Sequence, residues 1–181
     1  MFKEEVLKKL KLDLESNFPG KDRFLLSFFL NPKLRCLILF RLYENYKAKA
    51  NNFFNRFGLK IIRFIYDSSQ RKIGMELPLG TRIGGGYYIP HPNGIVVNAK
   101  AKVGDNCTIL QQVTIGGDSR KENGKPPTIG NDVVLSAGCK VIGPIQVGNN
   151  VIVGANAVLI QNALSDSIYA GVPAKLKTKL R

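Results

Sequence analysis

The sequence predicts a mainly β protein, a parallel β-helix of hexapeptide repeats preceded by an N-terminal α-helical segment. Two observations carry that expectation. From Ile129 to Leu164 an aliphatic residue opens every block of six, at Ile129, Leu135, Val141, Val147, Val153 and Leu159. The fifth place of each block (Val133, Cys139, Ile145, Val151, Ala157, Ala163) is also apolar and mostly compact, while Gly, Asn and Asp gather between. A short fixed period of this kind marks a solenoid. Three hexads make one triangular coil of about 18 residues, and coils stack at the strand spacing of ~4.8 Å. First and fifth residues face the interior, and Gly and Asn supply the left-handed backbone that the corners require.

Residues 1–72 form the expected helical segment. Val6, Leu7, Leu10 and Leu14 make one stripe at helical spacing, and Leu34, Leu37, Ile38 and Leu42 make another. Phe18-Pro19-Gly20 and Asn31-Pro32 break the pattern, with Pro32 suited to a helix start. A third helix is expected over Phe53 to Tyr66. This part reads as a helical cap or oligomerisation arm. A second reading notes Arg41, Lys47, Lys49, Arg56, Lys60 and Arg63 among Phe and Ile residues, which suits peripheral contact with an anionic membrane.

Residues 73–181 form the expected β-helix domain. Leu77, Ile83, Ile89 and Ile95 are six apart, a slip of two residues follows, and Val103, Ile109 and Ile115 restore the period. The spacing from Ile115 to Ile129 is too long for one hexad, and the polar stretch 117–127 reads as a loop leaving a corner. The coil is expected to end near Leu164, with Tyr169 to Lys175 closing it and Lys175, Lys177, Lys179 and Arg181 as a basic tail.

Net charge is +14 over 181 residues. Residues 1–72 hold 16 Lys+Arg against 7 Asp+Glu, and the remainder 11 against 6, so both parts are basic. That balance fits an anionic partner such as a phosphorylated cofactor. No zinc spacing or RNA-binding signature accompanies it, so nucleic acid is not expected. Cys36, Cys107 and Cys139 lack metal spacing and read as small buried hydrophobes in a reducing, cytoplasmic setting. Phe2 to Lys11 reads as a charged amphipathic segment rather than a secretory signal, and the apolar runs are too short to span a bilayer.

Four motifs in order, Ile83-Gly-Gly-Gly86, His91-Pro-Asn-Gly-Ile-Val-Val97, Ile109-Leu-Gln-Gln-Val-Thr-Ile-Gly-Gly117 and Ala170-Gly-Val-Pro-Ala174, make the chain from Glu76 to Lys175 resemble the hexapeptide-repeat acyltransferases. The resemblance is nearest to their serine O-acetyltransferase branch and the related bacterial sugar O-acetyltransferases of surface-polysaccharide clusters. It implies a left-handed parallel β-helix, a homotrimer with active sites between adjacent prisms, and acetyl-CoA as co-substrate. The γ-class carbonic anhydrases share the prism but bind zinc through three histidines, and a chain whose only histidine is His91 cannot build that site, so no metal is expected.

His91 lies between Pro90 and Pro92, ahead of Asn93-Gly94, at a turn rather than a core position. Acetyl transfer to a hydroxyl needs a base near neutral pKa, which imidazole supplies. The resemblance places the catalytic histidine at His91 and aligns Glu76, one methylene longer, with the family's orienting Asp. It also implies that Ser136-Ala137 and Gly154-Ala155 contact the pantetheine arm and that Lys175 and Lys177 meet the phosphates. Backbone N–H groups at Gly84 to Gly86 or Gly116-Gly117 are candidates for the oxyanion. The serine enzymes carry Asp before the histidine and an Arg-His pair in the loop, where this chain has Pro90, Lys125 and Pro126. Loss of the charge that pairs with an α-ammonium favours a sugar of a surface polysaccharide or its precursor as acceptor, with Tyr87 and Tyr88 available to stack on the ring. L-Serine is the alternative acceptor, and a non-catalytic β-helix scaffold is the remaining one.

Overall fold

The structure is a computed structural model that describes residues 4–19, 28–47, 53–120 and 122–180. Among the described residues three α-helices precede the strands: α1 (Glu4–Asn17), α2 (Pro32–Lys47) and α3 (Phe53–Ile73). Asn31 caps α2, its Oδ1 accepting from Leu34 N at 3.2 Å, so Pro32 occupies the first helical position, where no N–H is needed. The break at Phe18-Pro19 ends α1 at Asn17; Gly20 and Lys49 lie outside the described residues. On α1 the expected stripe is rotated. Val6 and Asp13 are buried while Leu7 is 46% exposed, because an ion pair, described below, fixes which side of the helix meets the coil. The third helix runs seven residues past Tyr66 to Ile73.

Thirteen short strands follow, β1 (Arg82–Ile83), β2 (Val96–Val97), β3 (Lys102–Val103), β4 (Thr108–Ile109), β5 (Thr114–Gly116), β6 (Thr128–Ile129), β7 (Val134–Leu135), β8 (Lys140–Ile142), β9 (Gln146–Val147), β10 (Val151–Val153), β11 (Val158–Leu159), β12 (Ser167–Ala170) and β13 (Lys175–Lys179). They form three faces of a prism, β1-β3-β6-β9, β4-β7-β10-β12-β13 and β2-β5-β8-β11. All pairings are parallel except β12 with β13. This is a left-handed parallel β-helix.

In-register stacking explains the period. Ile109, Leu135, Val153 and Tyr169 lie one above another on the second face, and Val97, Ile115, Val141 and Leu159 on the third, all buried. Fifth-place residues such as Val113, Val133, Cys139 and Val151 are fully buried beside them. At about 25 cal/mol per Å² this continuous apolar column is the main stabilising element. Burial pushes the thiols of Cys36 and Cys139 up to about 12 and that of Cys107 to about 11, so all three are inert core groups.

Two corners per coil carry a left-handed residue. Asn106, Asp132, Asn150 and Asp166 repeat it between the first and second faces, with φ of 53 to 57°. Gly94, Gln112, Gly138 and Asn156 repeat it between the second and third. Gly138 is obligatory at its corner: φ is +73°, and a Cβ there would lie 2.1 Å from Asn156 Oδ1. Along the first edge a side-chain ladder runs down the column. Asp105 N donates to Asn131 Oδ1, Asn131 N to Asn149 Oδ1 and Asn149 N to Ser165 Oγ, at 2.9 to 3.0 Å.

Two departures from the expected phasing are informative. Ile95 does not open a hexad, since Val97 pairs with Ile115, and Ile95 is instead buried in the place equivalent to Val113. The extra two residues therefore precede Ile95. At the bottom, Val153 pairs with Tyr169, and the chain from Lys175 is not a loose tail but an antiparallel strand, β13, that caps the second face.

The helices dock on the first coil through one buried cluster. Arg41 is fully buried. Its Nε donates to Asp13 Oδ2 at 2.7 Å, one amino group to Glu44 and the Ile83 carbonyl at 2.8 and 2.9 Å, and the other to the Gly84 carbonyl. Asp13 also accepts from Gly86 N at 2.8 Å. Asn17 bridges next to it, donating to Tyr87 O and accepting from Ile89 N. Burial pushes the Asp13 carboxyl up to about 6 against the pull of Arg41 and Gly86, and the Arg41 guanidinium is held charged against its own burial by Tyr87, Asp13 and Glu44 around it. Arg41, grouped by sequence with the exposed basic residues of the helices, belongs to this internal lock.

Candidate active site

The two extra residues of the first coil make the site. Tyr88 stacks on Thr108 and Val96 on Thr114, so the corner between them holds two more residues in the first coil than in the second. Pro90-His91-Pro92 occupies the excess, with the proline rings restricting the backbone on both sides. Below it the turn is tied to the column: Gly94 N donates to Gly74 O at 2.7 Å and Gln112 N to Asn93 O at 3.0 Å. The His91 side chain is exposed.

Glu76 is also exposed, on the third face directly above Val96, with its backbone bonded on both sides to the neighbouring strand. The two side chains flank the same corner, His91 on the side of the second face and Glu76 on that of the third. Among the described residues no hydrogen bond or ion pair joins them.

The four expected cofactor contacts lie along this edge. Ser136-Ala137 follows β7 and Gly154-Ala155 follows β10, each turning from the second face to the third. Gly138 N bonds to Gln111 O and Asn156 N to Ala137 O, so these corners stack beneath the His91 turn. At ~4.8 Å per coil they lie about 10 and 14 Å below it. Lys175 opens β13 opposite Ala170 at the same edge, and Lys177 falls at the bulge where the β12–β13 register shifts, the pairing resuming at Thr178. Both lysines are exposed.

Sequence reasoning missed the wall that faces this edge. A cleft of 650 Å³ lies between the loop residues Gly117 to Arg120 and the outward-facing Ile142, Val158 and Ile160 of the third face. The outward apolar places of β8 and β11 were the signal. Asp118 and Arg120 pair within the loop at 3.1 Å, and a short 3-10 turn, Glu122–Gly124, follows.

Two expected roles are excluded by geometry. Tyr87 is 1% exposed and packs against Phe40 and the Arg41 guanidinium, so only Tyr88, 39% exposed, faces outward. The amides of Gly84, Gly85 and Gly86 are already bonded, to Val103 O, Asp105 Oδ1 and Asp13 Oδ1, so none is free for an oxyanion. Among the described residues no three His, Cys, Asp or Glu side chains gather as a metal site.

Residues 126–161 match the family described as bacterial transferase hexapeptide (six repeats). A serine acetyltransferase of Helicobacter pylori is 36% identical over 152 residues, which cover 84% of this chain and 85% of the relative. One from Synechococcus elongatus is 40% identical over 116 residues, covering 64% of this chain and 48% of the relative, so the match spans about half of that longer protein. Among solved structures, serine acetyltransferase isoform 3 of Entamoeba histolytica, in complex with cysteine, matches with a TM-score of 0.70 at 27% identity, over 96% of this chain and 61% of that one. The Brucella abortus enzyme in complex with coenzyme A matches with a TM-score of 0.71 over 98% of this chain; at 23% identity it shows the fold alone.

These names overturn the expected sugar acceptor. The expectation leaned on Pro90, Lys125 and Pro126; of these Pro126 is buried at the foot of the loop, so its identity reports how the loop closes rather than what binds. Identity at this level over 85% of the Helicobacter protein, on a prism that carries its one histidine on a lengthened corner, establishes that the chain belongs to the serine acetyltransferase family of hexapeptide-repeat transferases.

Proposed function

We propose that this protein transfers the acetyl group of acetyl-CoA to the hydroxyl of L-serine, with His91 as general base. The observation that carries the reading is the 36% identity across 85% of a serine acetyltransferase. The exposed His91 turn supports it. Neutral imidazole takes the hydroxyl proton as the serine oxygen attacks the thioester carbon. The tetrahedral intermediate then collapses, the carbon–sulfur bond breaks, and the imidazolium returns its proton to the departing thiolate. Glu76 is the positioning residue for the imidazole, holding its second nitrogen as donor. The Ser136-Ala137 and Gly154-Ala155 corners let the pantetheine arm lie close to the backbone along the edge, and Lys175 and Lys177 meet its phosphates.

The active unit is a homotrimer. A single prism leaves His91 on an open corner, and a neighbouring prism supplies the second wall that shields the thioester from water. The test measures thiol release from acetyl-CoA with L-serine and with a panel of monosaccharides and nucleotide sugars. Saturable turnover with serine is expected. Turnover with a sugar alone overturns the acceptor, and no CoA binding at all returns the chain to the scaffold reading.

A further inference from the structure

Helix α3 (Phe53–Ile73) uses one side for the fold and exposes apolar side chains on another. Tyr66 and Ser69 face inward, fully or almost fully buried, and the Tyr66 hydroxyl donates to Leu77 O at 2.6 Å. Phe57, Ile61, Phe64 and Ile65 are 56, 46, 72 and 37% exposed. Their spacing places them on one stripe, about 120° around the helix from the buried side. Phe29 and Leu30 are 71 and 74% exposed, and Arg35, which donates to the carbonyls of Phe28 and Phe29 and, at 3.1 Å, to Ser69 Oγ, ties their segment to the buried side of α3. An exposed apolar stripe such as that on α3 marks an interaction site.

One border is cationic. Arg56, Lys60, Arg63 and Arg71 are exposed along it, and Asp67 is the only acid of the helix. No described helix is long and apolar enough to cross a membrane. An apolar stripe edged by Lys and Arg on a helix lying along a surface suits an interface of acyl chains below and phosphates around. Two-fold pairing with a second copy through the same stripe would instead set the cations of one helix against those of the other.

We propose that this face docks the protein on a bilayer surface rich in anionic headgroups, the aromatic and Ile side chains entering the headgroup boundary and the flanking cations meeting lipid phosphates. None of these residues belongs to the proposed catalytic or cofactor sites.

The test sediments the full chain with vesicles of phosphatidylcholine alone and of phosphatidylcholine with phosphatidylglycerol, at low and high salt. Binding is expected to the anionic vesicles and to weaken with salt. Ile61→Ser with Phe64→Ser should lower the partition coefficient by about tenfold or more. Arg56→Gln with Lys60→Gln should lower it by about thirtyfold, from roughly fivefold per charge. Because all four positions are exposed, the melting temperature should not move. The proposal is overturned by absence of binding to anionic vesicles, or by stripe variants that bind as the parent does. It is equally overturned if, without lipid, the parent self-associates and the Ile61→Ser, Phe64→Ser variant does not, which would make the occupant a second copy.

Discussion

His91 owes its position to an insertion rather than to a motif. The stacked corners below it hold six-residue steps, and the two added residues push a Pro-flanked imidazole out of the column without disturbing the ladder above or below. His91→Ala should therefore lower turnover by about 10²–10⁴-fold while leaving the melting temperature within a degree or two, since an exposed turn side chain contributes little to the core. A large loss of stability in that variant would make the residue structural. At this scale the sequence made legible that the one histidine sits at an exposed turn rather than in the core. It misled where identity and environment part. Tyr87 and Tyr88 are neighbours of the same type, yet strand alternation buries one against Arg41 and points the other outward. The glycines at 84–86 looked like free amide donors, but each N–H is engaged by a partner 19 to 73 positions away in the chain.

Among elements, the coil was legible and the helix-to-coil joint was not. Hexads report local stacking, so the period survives in sequence; the Asp13–Arg41 pair joins positions 28 residues apart and then reaches the coil, with no period to betray it. Its energetics can be measured. Asp13→Ala leaves the Arg41 guanidinium buried with Glu44 as its remaining carboxylate, and should cost about 3–5 kcal/mol in urea unfolding at neutral pH. The pH dependence has a definite sign. The carboxyl titrates near 6 in the fold against an ordinary 3.8, so the fold holds that proton more tightly than the unfolded chain does. Its contribution is full below about pH 4 and is lost as pH rises through about 6. Asp13→Asn should flatten that part of the stability profile; an unchanged slope would show that Asp13 does not titrate there.

For the whole molecule, the fold places every candidate group for transfer on or beside one edge of the prism, which is where a neighbouring prism would have to sit. Sedimentation equilibrium should give three times the 20.0 kDa chain mass, and a monomer that turns over acetyl-CoA would remove the shared cleft from the mechanism. The assembly could be expected from the resemblance but not from the repeat, because hexads specify the inside of one column and say nothing of what its corners touch.

The antiparallel β13 has a further consequence. A stack of parallel strands ends in unpaired amides and carbonyls that would template another stack, so an open solenoid invites end-to-end growth into fibres. Here the last strand runs the opposite way, bulges near Lys177 and presents Lys175, Lys177 and Lys179 to solvent. Reversed direction, broken register and repelling ammonium groups together make a poor seed, so the lysines proposed to greet a phosphorylated ligand also stop the protein from polymerising through its own base.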